Sequence, residues 1–233
     1  MVRTWTLGIF LVSVALLQFG YPLTLHGSLW TAVYMLLYTG MIVFGIMLVR
    51  EESLRTVPIF VVAVVFLIFG LWVAVDQESE AAHLGMFISV AVFQSCLMVS
   101  LLRFIFRRSQ AHGPDLILAA VCVYLLLGGL FAATFGAVEI VWPGSFEDSA
   151  APEEPVTWQQ LMYFSYVTMA TLGYGDVLPL TPWVRSLAVV ETVSGTLFLT
   201  TVIARLVGAY IAPADAAGAG GDRGDVESPH PGR

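Results

Sequence analysis

Apolar residues run almost unbroken through five stretches, 29–49, 57–75, 84–106, 116–141 and 184–211, separated by short polar or charged links. A helix rises 1.5 Å per residue, so about 20 apolar residues cross the hydrocarbon core of a bilayer. Each stretch therefore predicts one membrane crossing. A sixth stretch, 5–19, is shorter and follows Arg3, as the apolar part of a secretory signal would. No small-x-small cleavage pattern comes after Phe19, where the chain reads Gly20-Tyr21-Pro22-Leu23. A retained first helix is expected, giving six crossings.

One link does not fit the simple pattern. After Pro155 comes Thr157-Trp158-Gln159-Gln160, in which Thr157 suits an N-cap and Gln160, three residues on, closes a capping box. Apolar and aromatic residues continue to Met169, which predicts a helix of about 12 residues, too short to span. It reads as a re-entrant helix buried in protein. Past 211 the residues turn to Ala, Gly, Pro and Asp without periodicity, which predicts disorder.

The fold class expected is an all-α membrane protein. It divides into a four-helix transmembrane part (1–110), a second unit of two long helices flanking the short one (111–212) and a disordered tail (213–233). Composition agrees: 58% of the 233 residues are hydrophobic and 12% charged, against about 25% charged in soluble domains. Lipid must supply part of the solvent.

Arginine placement sets the orientation, because cytoplasmic loops collect positive charge. With both termini inside, Arg3, Arg50, Arg55, Arg103, Arg107, Arg108, Arg205, Arg223 and Arg233 lie on the cytoplasmic side, and Arg185 alone does not. The links after 57–75 and 116–141 are acidic and face out. The net charge of −7, with all ten basic residues Arg, argues against a nucleic-acid partner. Cys96 and Cys122 sit inside apolar stretches, and His26, His83, His112 and His230 are scattered. Neither a disulfide framework, a metal-ligand cluster nor a cofactor site is indicated. No buried base accompanies Glu139 and Glu191, so intramembrane enzyme chemistry is not expected.

The segment after the short helix reads Thr171-Leu172-Gly173-Tyr174-Gly175-Asp176. Glycine takes left-handed backbone angles that L-residues resist, and alternating handedness along a strand turns successive carbonyls to one side. A row of carbonyls facing an axis replaces the hydration shell of a monovalent cation. One strand cannot encircle an ion, but four around an axis can.

Tyr163-Phe164-Ser165-Tyr166-Val167-Thr168-Met169-Ala170, followed by that segment and the helix with Glu191-Thr192-Val193-Ser194-Gly195, resembles the pore unit of the potassium channel family. The resemblance covers about residues 113–212. It implies a homotetramer in the cell membrane that conducts K⁺ passively, with K⁺ and lipid as partners and no cofactor. Backbone carbonyls of Thr171, Leu172, Gly173 and Tyr174 would coordinate the ion, and Gly175 and Asp176 would complete the filter. Filter support would come from Tyr163, Phe164, Val167, Thr168 and Glu191.

The family's paired Trp positions are Tyr163 and Phe164 here, and the Tyr163 hydroxyl would reach Asp176. Val167 stands where some prokaryotic relatives carry an acid, so a carboxyl–carboxyl clasp is absent. The Tyr174 ring would brace the filter against aromatics of the short helix. Ala170 replaces a second threonine and Leu178 is not aromatic, which implies weak block by quaternary ammonium. In the last helix, Gly195 matches the family's hinge position, though glycine there also serves packing. Thr196, Leu199, Ile203 and Val207 would face the pore, the last two forming a constriction.

Glu191 needs a partner or a proton at membrane depth, and Ser165 and Thr168 are in reach. Glu139 is expected to pair with Arg185. The acidic residues Glu147, Asp148, Glu153 and Glu154 would concentrate cations at the mouth, or form an ordinary solvated loop.

Six crossings with one pore loop is also the plan of voltage-gated channels. Moving one charge through the field yields about 2.3 kcal/mol per 100 mV, and a sensor needs several. The fourth crossing offers only Arg103, Arg107 and Arg108, all at its cytoplasmic end, where the orientation rule alone would put them. Steep voltage gating is not expected. A weakly selective cation channel and a non-conducting modulatory subunit are the alternative readings.

Overall fold

In the computed structural model the described residues are 2–20, 22, 38, 40–42, 45, 56–76, 79–107 and 113–218. The expected crossing at 29–49 lies almost wholly outside them, as do the tail beyond 218 and Arg50, Arg55 and Arg108. The helices among the described residues are, in chain order, α1 (Val2–Phe19), α2 (Thr56–Val75), α3 (Glu80–Arg107), α4 (Gly113–Val141), the short α5 (Trp158–Met169) and α6 (Pro182–Gly218). Glu80–Phe106, Pro114–Val141 and Pro182–Gly208 are long and apolar enough to cross a membrane. Thr4–Phe19 and Val61–Val73 are shorter apolar helices.

Helix α1 buries Leu7, Phe10, Val14 and Leu17, one stripe at helical spacing, while Trp5, Ile9, Val12 and Leu16 remain exposed on the other side. Apolar residues on both faces are what a helix between protein and lipid requires. Helix α3 does the same with Phe93, Leu97, Leu101 and Phe104, and these stripes meet Ala119, Cys122, Val123 and Leu126 of α4 in one core. Both cysteines are free thiols within this packing. Helix α4 carries Pro114 as its second residue, which suits a first turn because its missing N–H would have no partner there.

The fold is mostly helical, and two details depart from the expected layout. The fold is not wholly helical: β1 (Phe146–Asp148) pairs antiparallel with β2 (Val177–Pro179), Glu147 opposite Leu178. Three-residue strands carry too little periodicity to stand out in a sequence. Helix α6 also runs to Gly218, into the stretch expected to be disordered.

A second core lies around α5. Phe164 meets Phe135 and Phe146 edge-on, with ring centroids 5.3 and 5.4 Å away, and Phe135 and Phe146 meet each other at 5.4 Å. Leu161, Met169, Val177, Val184 and Ala188 complete it. Helices α4 and α6 and strand β2 thus fix the short helix from three sides.

Candidate functional site

The short helix α5 begins where the sequence places it. Thr157 is the N-cap, and its side chain and that of Gln160 close the reciprocal capping box. Thr157 N–H donates to Gln160 Oε1 at 2.7 Å. The amide of Gln160 also donates to Asp148 Oδ2 at 2.5 Å, tying β1 to the helix start. Asp148 is therefore a structural acceptor, whereas Glu153 and Glu154 stay exposed.

At the other end the helix closes without a charged partner. Ala170 N–H donates to Tyr166 O, Thr171 N–H to Thr168 O, and Leu172 N–H to Val167 O at 2.9 Å. The chain then leaves in an extended run with positive φ at every second residue: Thr171 58°, Gly173 58° and Gly175 76°. Sequence reasoning assigned this handedness to the glycines; Thr171 joins them although a side chain there is strained. The 171–176 segment is exposed throughout, with Leu172 at 57% and Tyr174 at 68%. Within one chain the Tyr174 ring is thus not braced as expected.

Asp176 closes the segment. Tyr163 Oη donates to Asp176 Oδ2 at 2.6 Å, the contact the sequence suggested. That bond holds the Asp176 carboxyl below the ordinary carboxylate range. Val167 is buried and, being apolar, leaves Asp176 to this phenol. Outside the segment, Ser149 N–H donates to Asp176 O at 2.7 Å and Ser149 Oγ to Gly175 O at 3.2 Å.

Behind α5 the structure adds residues that the sequence reading passed over. Tyr166 Oη donates to Leu125 O of α4 at 2.7 Å. A Cβ on Gly128 would lie 2.5 Å from the Tyr166 ring and 2.9 Å from Met169 Cε, so only glycine admits this approach. Gly195 of α6 plays the same part opposite Met169, whose Cγ would stand 2.7 Å from an added Cβ. Helix α6 is unbroken there, so packing is the role this conformation displays. Thr192 Oγ1 donates to Thr168 O at 3.3 Å. Glu191 is fully buried and bonded to Ser165; the Thr168 side chain is not its partner.

Thr196, Leu199, Ile203 and Val207 recur at helical spacing along α6 and are all exposed. Just beside them Arg205 reaches the end of α3, its Nε 2.8 Å from Ile105 O and its guanidinium 5.6 Å from the Phe106 ring centre. The expected Glu139–Arg185 pair does not form. Glu139 caps the loop after α4, accepting from Gly144, Ser145 and Phe146 N–H at 2.8–3.1 Å. Arg185 donates to Pro179 O at 2.9 Å. Backbone partners within seven residues cost less chain ordering than a bridge across the mouth.

The chain thus sets a short capped helix between two long apolar ones and follows it with a segment of positive φ at every second residue. Residues 118–212 match a family profile described as "Ion channel". The chain is 32% identical over 97 residues to "Two pore potassium channel c" of Oryza sativa subsp. japonica, covering 40% of this chain and 19% of that protein. It is 30% identical over 104 residues to "Inward rectifier potassium channel Kirbac3.1" of Paramagnetospirillum magnetotacticum (43% and 31%). With "Potassium channel protein kcv" of Paramecium bursaria Chlorella virus 1 it shares 36% over 52 residues (21% and 55%). The chain thus spans between a fifth and about half of the length of these relatives. No solved structure matches. Residues 118–212 are thus similar to an ion-channel family, and the relatives that match are potassium channels by name.

Proposed function

We propose that four copies of this chain surround one axis and form a passive, potassium-selective channel in the cell membrane. The observation that carries this is the backbone alternation at Thr171, Gly173 and Gly175. Such a strand directs its carbonyls to one side, where four copies would form successive oxygen rings around a dehydrated cation. Exposure supports the assembly: Leu172 and Tyr174 are large, apolar or aromatic, and uncovered within one chain. Neighbouring copies would bury them and supply the bracing that Tyr174 lacks.

In this reading α5 is the re-entrant pore helix, α4 the outer helix and α6 the inner one, in a six-crossing chain with both termini cytoplasmic. The C-terminal end of α5 carries partial negative charge toward the ion path. Leu199, Ile203 and Val207 line the inner pore with Thr196 above them. Gly195 is the point at which α6 would bend on opening. The low charge of α3 apart from its end makes steep voltage gating unsuited to this chain.

Rubidium uptake tests the proposal. Vesicles holding the purified chain and loaded with potassium are expected to accumulate external rubidium, and external potassium but not sodium should compete. Native mass should be four times the chain's 25.3 kDa. Equal competition by sodium would support a weakly selective cation channel. No uptake by a verified tetramer would support a modulatory subunit.

A further inference from the structure

Glu191 stands at the middle of the packed pore unit, on α6, with none of its surface exposed. Its Oε1 is hydrogen-bonded to Ser165 Oγ of α5, and the same Oγ lies 2.7 Å from Gly128 O of α4. Its Oε2 is buried with no hydrogen-bond partner. A serine hydroxyl carries one hydrogen. If it donated to an ionised Glu191, it would have none for Gly128, and two lone-pair oxygens would face each other at 2.7 Å. If Glu191 carries the proton, the chain of bonds closes: the acid donates to Ser165, and Ser165 donates to Gly128 O.

Among the described residues the surroundings supply no countercharge. Facing Glu191 are the Tyr124 phenol from α4 and Ser165 from α5, with the Gly128 carbonyl of α4 beyond the Ser165 hydroxyl. On its own helix, the neighbouring Thr192 hydroxyl has the carbonyls Ala188 O at 3.0 Å and Thr168 O at 3.3 Å to share its one hydrogen, and Arg185, more than a turn away, is engaged with Pro179 O. An ionised carboxylate buried without a cation and with one bare oxygen is far costlier than a neutral acid with one bare carbonyl.

We propose that Glu191 is a positioning residue held as a neutral carboxylic acid, its proton closing an α6–α5–α4 clamp through Ser165 and Gly128 directly behind the filter strand. The clamp deepens the channel reading, on which only its consequence for conduction rests. No bond is made or broken beyond the ionisation itself. Losing the proton sets a bare charge against Gly128 O and Ser165, which pushes α5 away from α4 and α6.

The test is infrared difference spectroscopy on the purified full chain in lipid, comparing wild type with Glu191→Gln at about pH 7, where an ordinary carboxyl is ionised. The expected result is a protonated-acid carbonyl band in wild type that Glu191→Gln removes. A spectrum with only carboxylate bands at this position overturns the proposal. Should Glu191→Gln fail to assemble, Ser165→Ala replaces it, and the acid band should shift because its acceptor is gone; an unmoved band overturns the assignment. This readout does not depend on ion flux, so a chain that conducts nothing would still decide it. In a conducting chain, Glu191→Gln should keep its rubidium uptake under alkaline conditions that diminish it in wild type; matching alkaline profiles overturn the clamp's role.

Discussion

Helices α4 and α6 flank the same short helix and are both apolar enough to cross a membrane, yet 67% of the α4 span is buried inside the chain and only 22% of α6. Leu126 of α4 is wholly buried, whereas Leu197, Ile203 and Val207 of α6 are 61%, 58% and 51% exposed. Apolarity is therefore used in two ways. In α4 it is spent within the chain, against α1, α3 and α5. In α6 most of it is left uncovered within the chain, as the proposed assembly in lipid requires. The filter strand falls on the same side of the divide as α6, with Tyr174 and Leu172 uncovered. Fold stability should therefore reside in α4, and function in α6 and the filter.

The largest effect is expected at Gly173, which has φ 58°. A left-handed L-residue costs about 1–2 kcal/mol, hence about 4–8 kcal/mol over four filters. Gly173→Ala should abolish selective rubidium uptake with α4 and its core intact, measured as an unchanged melting of the chain in detergent.

Next comes a direct contrast between the two helices. Leu126→Ala should cost the chain about 2–5 kcal/mol through the cavity it leaves, a loss visible in thermal unfolding. Ile203→Asn should change stability by about 0.5 kcal/mol or less, as exposed substitutions do, while raising basal flux by wetting the proposed constriction. If Ile203→Asn unfolds the chain and Leu126→Ala does not, the division of labour is wrong.

A smaller effect is expected from Tyr163→Phe, on the order of 0.5–1 kcal/mol, because the Tyr163–Asp176 bond is open to solvent. Since the bond lowers the Asp176 carboxyl, its contribution is complete above the ordinary carboxylate range, near pH 4, and fades as pH falls through the lowered value. The stability gap between wild type and variant should be constant above about pH 4 and close below it.

The smallest is Arg205→Gln, which removes the guanidinium from the end of α3. A change of about 1 kcal/mol in the coupling of α3 to α6 should appear as a modest shift in open probability.

Much of the site was legible in the sequence because its signals are local. Thr157 and Gln160 are three residues apart, the glycines alternate, and the filter follows its helix directly. The Tyr163–Asp176 bond spans 13 residues and could still be inferred, because resemblance supplied the register between helix and filter. What escaped depends on partners distant in the chain. The Gly128–Tyr166 approach, the Arg205–Ile105 contact and the β1–β2 ladder have no periodic mark in the sequence. Glu139 was paired with a charge because charge is what a sequence displays, whereas its actual partners are three backbone N–H groups. Thr171 was missed as a left-handed residue because only glycine announces that conformation.

The most direct test of the central claim, that four 171–176 strands form a potassium-selective filter, is the reversal potential of the purified chain in planar bilayers under opposed K⁺ and Na⁺ gradients. The account predicts reversal near the K⁺ equilibrium potential, with open probability nearly flat over voltage. Reversal near zero, in currents that Gly173→Ala leaves unchanged, would contradict it.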